Sequence, residues 1–268
     1  MNEEKYIQAL RNNPHGIRNI PNPTEAMMLA AVEQNGMLLN YIKNPTETVV
    51  EAALSASPRA VQYVENPSAE LLAALVKKDW SVLEYIEEPS TELVALAIEQ
   101  SGWAIKFAKE PSEAVQIKAV EKNYDAIQYI AEPTEAVQLV AVRENYQALR
   151  YIKSPTDAVE AEAVRQDPQA MRLVPNLTKE RALKLFSVNS YVLGYVSSSV
   201  GVTKDDLEQT IISVVSQDDI DESYLIGLLT NKTFGGRQAT WQIDLLQVIE
   251  QHGSRQAKQI LIDEFLKY

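Results

Sequence analysis

One four-residue pattern recurs at a fixed step and limits what this chain can become. Asn22-Pro-Thr-Glu returns as Asn44-Pro-Thr-Glu, Asn66-Pro-Ser-Ala, Glu88-Pro-Ser-Thr, Glu110-Pro-Ser-Glu, Glu132-Pro-Thr-Glu and Ser154-Pro-Thr-Asp, each 22 residues after the last. A period of this size without insertions is the signature of a stacked array, because one such unit cannot bury its own apolar face. We number positions within a repeat from 1 at the residue before the proline. Position 10 is Ala or Leu, positions 11 and 18 are aliphatic, and position 20 reads Tyr41, Tyr63, Tyr85, Phe107, Tyr129, Tyr151 and Leu173. The frame continues weakly on both sides, through Ile17 and Ile20 before it and through Leu193, Tyr195 and Val196 after it. The reading is about nine repeats over residues 1–197, the first and last degenerate, as expected where an end must replace a missing neighbour.

Each repeat reads as two short helices. Helix A is expected to open at the position-2 proline, with Asn or Ser at position 1 as its N-cap and Asn22/Glu25, Asn44/Glu47 and Ser154/Asp157 as capping boxes. Helix B is expected to open after the Asn, Ser or Asp at position 14 and to stop before the next proline. At 3.6 residues per turn this gives about three turns and about two. Positions 6, 7, 10 and 11 of helix A and 17, 18 and 21 of helix B form the apolar arcs. The fold class is therefore all-α: an α-solenoid of 22-residue helix-pair repeats with a C-terminal helical cap or bundle. The period is lost from residue 198, so residues 198–268 read as a separate helical domain of about four helices and a candidate homo-oligomer interface.

The stretch Ala30-Ala-Val-Glu-Gln-Asn-Gly-Met-Leu-Leu-Asn-Tyr-Ile42 resembles a class of short α-helical repeats found in viral and microbial proteins. More loosely, the array is similar to leucine-rich-variant and HEAT-like solenoids. The resemblance implies a fold, and it carries over no catalytic residues. It also implies a narrower expectation, an inhibitor or adaptor that sequesters a host or defence protein.

Composition narrows the chemistry. Without cysteine, disulfides, zinc–thiolate sites and cysteine nucleophiles are excluded, which fits a cytoplasmic chain. The polar, acidic start lacks the pattern of a secretion signal, and no apolar run is long enough to span a bilayer, so no membrane is expected. A net charge of -12 repels phosphate backbones and argues against nucleic acid as a partner. It leaves open an acidic nucleic-acid mimic, which would need clustered acids. Phosphate-loop, zinc-hydrolase and nucleophile-elbow spacings are absent, and His15 and His252 have no evident partner. The chain is therefore expected to be no enzyme and to need no cofactor or metal; a HEAT-like repair enzyme would need a basic groove. Phe234-Gly-Gly-Arg-Gln reads as a loop.

The remaining candidate is a surface for another protein. The tyrosines at position 20 sit at the edge of the buried arc, where a packing ladder is the plain reading. Positions 15, 16, 19 and 22 of helix B are expected to face outward. They carry Trp80, Trp103, Tyr124 and Tyr146 in successive repeats, with Lys106 and Arg150 nearby. Trp, Tyr and Arg dominate binding hot spots, so these six residues are the candidate partner-binding set. Near-complete burial of both Trp80 and Trp103 would defeat it.

Overall fold

A computed structural model describes residues 3–234 and 240–266. The described helices pack on one another in sequence within each of two units, and the chain is an all-α helical solenoid. It forms two compact units, Met1–Ile130 and Ala131–Tyr268. The change at residue 198 from repeating to non-repeating sequence falls inside the second. The sequence-read loop at 234–238 lies, beyond Phe234, outside the described residues.

In the first unit, α-helices α1 (Glu3–Asn12), α2 (Glu25–Val32), α3 (Glu47–Ala56), α4 (Ala69–Lys78), α5 (Thr91–Ile98) and α6 (Glu113–Lys122) alternate with six-residue 3-10 helices. These are η1 (Pro14–Asn19), η2 (Gly36–Tyr41), η3 (Pro58–Tyr63), η4 (Trp80–Tyr85), η5 (Gly102–Phe107) and η6 (Tyr124–Tyr129). From α2 onward every α-helix starts 22 residues after the last. The core follows the arcs read from sequence: Ala31, Ala53, Leu75, Ala97 and Ala119 at position 10 are buried, and so are Val32, Leu54, Val76, Ile98 and Val120 behind them. Leu38, Ala60, Val82, Ala104 and Ala126 at position 17 complete the seam from the other element.

Two local expectations are corrected. The first concerns the start of helix A. Its N-cap is the Ser or Thr at position 3, not the residue before the proline. The hydroxyls of Thr46, Ser68 and Ser90 accept from the N–H groups of Val49, Leu71 and Leu93. The proline therefore precedes the helix, and the capping boxes from position 1 do not form. Position 1 instead turns the chain: Asn44, Asn66 and Glu110 have φ of 50°, 50° and 48°. A residue before proline is kept out of the right-handed helical region, and Asn tolerates the left-handed one. Glu tolerates it less well. Glu110→Asn should therefore stabilise the protein by about 0.5–1 kcal/mol, read as a higher urea midpoint; a lower midpoint would contradict the assignment.

The second correction concerns helix B, which is a 3-10 helix rather than an α-helix. A six-residue segment closes one more backbone bond in the i→i+3 pattern than in i→i+4. The position-14 residue supplies two acceptors for this turn. Its carbonyl takes the N–H three residues on, as in Ala60 to Ser57 at 2.9 Å. In η2 and η4 its side chain also takes the N–H two residues on, Met37 to Asn35 at 3.1 Å and Ser81 to Asp79 at 2.9 Å. With three residues per turn, positions 15, 18 and 21 fall on one line and 16, 19 and 22 on another.

Repeats are also stitched by polar groups. Thr46 Oγ1 donates to Glu25 Oε1 (2.5 Å), and Gln100 Nε2 donates to the Val76 carbonyl (2.5 Å). The second bond satisfies an end-of-helix carbonyl that has no partner within its own helix. Gly36 and Gly102 lie where a Cβ would stand 2.0 Å from the Ala53 and Ala119 carbonyl oxygens of the next repeat.

The second unit opens with α7 (Glu135–Glu144), η7 (Tyr146–Arg150), α8 (Asp157–Gln166), η8 (Pro168–Leu173), α9 (Lys179–Phe186) and η9 (Ser190–Tyr195). After the short η10 (Ser198–Val200) come α10 (Lys204–Val215), α11 (Glu222–Thr230), α12 (Leu245–His252) and α13 (Arg255–Phe265). Phe186 joins the repeats to this terminal group, its ring 6.2 Å from Tyr224 and 5.8 Å from Phe234.

α10 opens with a capping box. The Thr203 hydroxyl accepts from the Asp206 N–H, and Asp206 Oδ2 accepts from the Thr203 N–H at 2.9 Å. Lys179 Nζ lies 2.6 Å from the same carboxylate. The Lys179 bond, then those of Thr203, hold the Asp206 carboxyl at about 2, below its ordinary 3.8. Because the folded value is the lower one, the stability it contributes is present above pH 3.8 and is lost as pH falls through about 2. Asp206→Asn should therefore flatten the acid limb of the urea midpoint against pH in that window. Superimposable limbs would refute the assignment.

Candidate interaction surface

The 3-10 winding decides which helix-B side chains reach solvent. Position 15 lies in line with the buried 18 and 21, so Trp80 and Tyr124 are half-buried rather than outward. The Gly36 and Gly102 backbones at the same position are buried against the next repeat. Position 16 lies in line with the exposed 19. Trp103 is accordingly 42% exposed, and Lys106, one turn on, is exposed. The Trp103 indole N–H donates to Asp125 Oδ1 of the next repeat (2.8 Å). In the second unit Tyr146 is half-buried and Arg150 exposed.

A more regular surface runs beside these residues. Tyr41, Tyr63, Tyr85, Phe107 and Tyr129 at position 20 come from five consecutive 3-10 helices, η2 to η6, each packed on the next. Tyr41 and Tyr129 are 44% and 46% exposed; the three between are half-buried. Tyr63 and Tyr85 pack against the core, as a packing ladder does, while the column stays open along one edge.

Cations lie over three of its rings, two of them from the preceding repeat and one from the ring's own repeat. The Arg18 guanidinium is 4.1 Å from the Tyr41 ring centre, and Arg59 is 5.6 Å from that of Tyr85. Lys106 Nζ is 4.7 Å from Phe107 and 6.0 Å from Trp80. A cation held by a ring face is steadied there while its outer N–H groups stay in solvent. Lys106 and Trp80 thus join the column, whereas Trp103 bonds to Asp125 beside it. The second unit repeats the motif at its own end, with Arg172 4.8 Å from the Tyr195 ring; there the position-20 set also has Leu173 and Tyr151, the latter 40% exposed.

Several acids are paired locally. Glu88 pairs with Lys109 at 3.0 Å, Glu99 with Lys118, and Asp157 with Lys184. Glu162 takes both Arg143 (3.3 Å) and Arg165 (2.8 Å). The Lys109 bond holds the Glu88 carboxyl below its ordinary range, and Lys184 does the same for Asp157. These ion pairs come from α6, α7, α8 and α9 and the loops beside α5 and α6, and they do not converge on one group.

The sequence reading missed Glu160. It lies at position 7 of α8, 2% exposed, where other repeats carry Met28, Val50 or Leu72. Arg181 grips both its oxygens and also donates to the carbonyls of Pro175 (2.6 Å) and Asn176 (3.3 Å). Burial raises the Glu160 carboxyl, and the Arg181 guanidinium opposes that rise. The carboxylate is enclosed and faces its partner, so it has the geometry of a repeat-to-repeat clasp rather than of a reacting group.

A shallow hollow of about 500 Å³ beside α9 and α10 is lined by Lys184, Ser187, Asp205, Asp206, Gln209 and Thr210, among others. Of its three charged groups, Lys184 is paired with Asp157 and Asp206 with Lys179. Among the described residues no cluster of three or more His, Cys, Asp or Glu side chains could hold a metal ion, and no helix is long and apolar enough to cross a membrane. No family model, no curated protein and no solved structure matches the chain.

Proposed function

We propose that the protein is a non-enzymatic binding scaffold that holds an extended segment of another protein along the η2–η6 face. The observation that supports this is the aromatic column with its overlying cations, one ring per repeat. Such groups contribute most of the energy at protein interfaces, and solubility alone gives no reason to line them up on an open edge. The period favours one ligand conformation. Packed helices stand about 8–10 Å apart, and a polyproline II chain advances about 9.3 Å in three residues, returning a side chain to the same face at each step. A β-strand returns to the same face after about 6.8 Å, out of register with the rings. The partner segment is therefore proline-rich, one contact residue in three, as in other aromatic-lined sites for such chains.

A surface that holds a segment without transforming it suits an adaptor or a sequestering inhibitor acting in the cytoplasm.

The test is titration of a fluorescent (Pro-Pro-Ala)5 peptide against the intact chain, with a Gly/Ser peptide of equal length as control. Saturable binding of the first alone is expected, weakened at least about tenfold by Tyr63→Ala/Tyr85→Ala. Identical isotherms for the two peptides would sink the proline-rich assignment. An unaltered isotherm in the folded double variant would place binding elsewhere.

A further inference from the structure

The second unit carries an apolar strip on α12 and α13 that the described residues leave uncovered. α13 buries Ala257 and Ile260 inward, and α12 buries Leu245, Val248 and Ile249. On the other side Leu246, Ile262, Phe265 and Leu266 are 47%, 52%, 60% and 79% exposed. Together with Leu261 they line an open groove of about 530 Å³ whose charged residues are Glu250 on α12 and Lys258 on α13. Neither of these has an ion-pair partner among the described residues.

We infer that this groove is a two-fold interface for a second copy of the same chain. Two properties select that occupant. The first is charge. A two-fold axis through the strip sets Glu250 of one copy against Lys258 of the other, twice, so the groove is its own electrostatic complement, as an isologous interface requires. A partner of one charge sign would leave either the acid or the base unanswered. The second is size. The four exposed residues present on the order of 500 Å² per copy, as large as the biggest apolar patch usual on a monomer. Two such patches with their charged rims reach the roughly 1,200 Å² at which stable interfaces begin. The net charge of -12 on each copy opposes association, but at physiological salt this repulsion is screened beyond about 8 Å, while the strip acts in direct contact. The interface is independent of the η2–η6 face and would stand if that proposal failed.

Light scattering on the full chain over a micromolar concentration series tests the inference. The expected mass is twice the 30.0 kDa of one chain, and one-chain mass throughout would overturn it. Glu250→Lys sets Lys against Lys, and Lys258→Glu sets acid against acid, so each variant alone should dimerise at least about tenfold more weakly. An equimolar mixture of the two restores both pairs and should recover the dimer. Full-strength dimers from each variant alone, or no recovery in the mixture, would overturn the register. Ile262→Glu should give a folded monomer with unaltered circular dichroism; a folded dimer would overturn the site.

Discussion

Arg181→Met is expected to lower the stability of the second unit by about 3 kcal/mol at neutral pH. The reason is asymmetric burial. Glu160 is 2% exposed and Arg181 28% by side chain, so losing the arginine strands a carboxylate that water cannot reach. Losing the carboxylate instead leaves a guanidinium that still has solvent and the Pro175 and Asn176 carbonyls. Glu160→Met should therefore cost less, and the double Met variant should recover most of the loss, because a buried pair replaced by apolar groups is often near neutral. The pH dependence has a definite sign. Burial already places the folded-state value of Glu160 above its ordinary 4.5, so the fold favours the protonated acid. That preference is fully present below pH 4.5 and is lost as pH rises through the folded value. Without Arg181 the folded value climbs further, so the deficit should be large at pH 7 and shrink towards pH 4. Urea midpoints at both pH values check this, and a pH-independent deficit would assign the loss to packing instead.

The pattern that made the array visible did not make Glu160 visible. Alanine at position 10 and the aliphatics at 11 and 18 are read without ambiguity, because their burial recurs in every repeat. Position 7 drifts from Met28 and Val50 to Gln116, Gln138 and Glu160, and a single polar residue in a drifting column reads as surface. The signal was there in Arg181, 21 residues on, but pairing at that separation follows from stacking, not from local spacing. The helix-A cap was misplaced by two residues for a similar reason. Asn before proline and Thr after it both fit a cap, and only backbone geometry separates them, with Asn44 at φ 50° and Thr46 at -70°. Over six residues the periods 3.0 and 3.6 diverge by about one position. That difference is too small to read from composition, and it moved Trp80 and Tyr124 towards the core while leaving Trp103 and Lys106 outside. The position-20 tyrosines were legible as a column at the edge of the core; the cations over their rings were not.

Gly102→Ala is expected to destabilise the first unit by about 3 kcal/mol, although alanine is the better helix former. The two effects differ in size. Replacing glycine in a helical segment returns about 0.5–1 kcal/mol of backbone entropy. Against that, a Cβ at Gly102 would lie 2.0 Å from the Ala119 carbonyl oxygen and 3.2 Å from the Asn123 nitrogen, both backbone atoms. Neither can rotate away, and Asn123 is further tied down because its side chain accepts from the Gly102 N–H at 2.8 Å. Relief therefore requires η5 and α6 to separate, opening the buried seam at Ala104 and Ala119. Gly194 supplies the control. It lies in η9 with nothing within 4 Å of its would-be Cβ, so Gly194→Ala should be neutral or slightly stabilising. Opposite signs for the two substitutions in urea denaturation separate close approach from propensity. Equal small gains would mean that η5 does not dock on the Ala119 carbonyl and that Gly102 is not required by close approach.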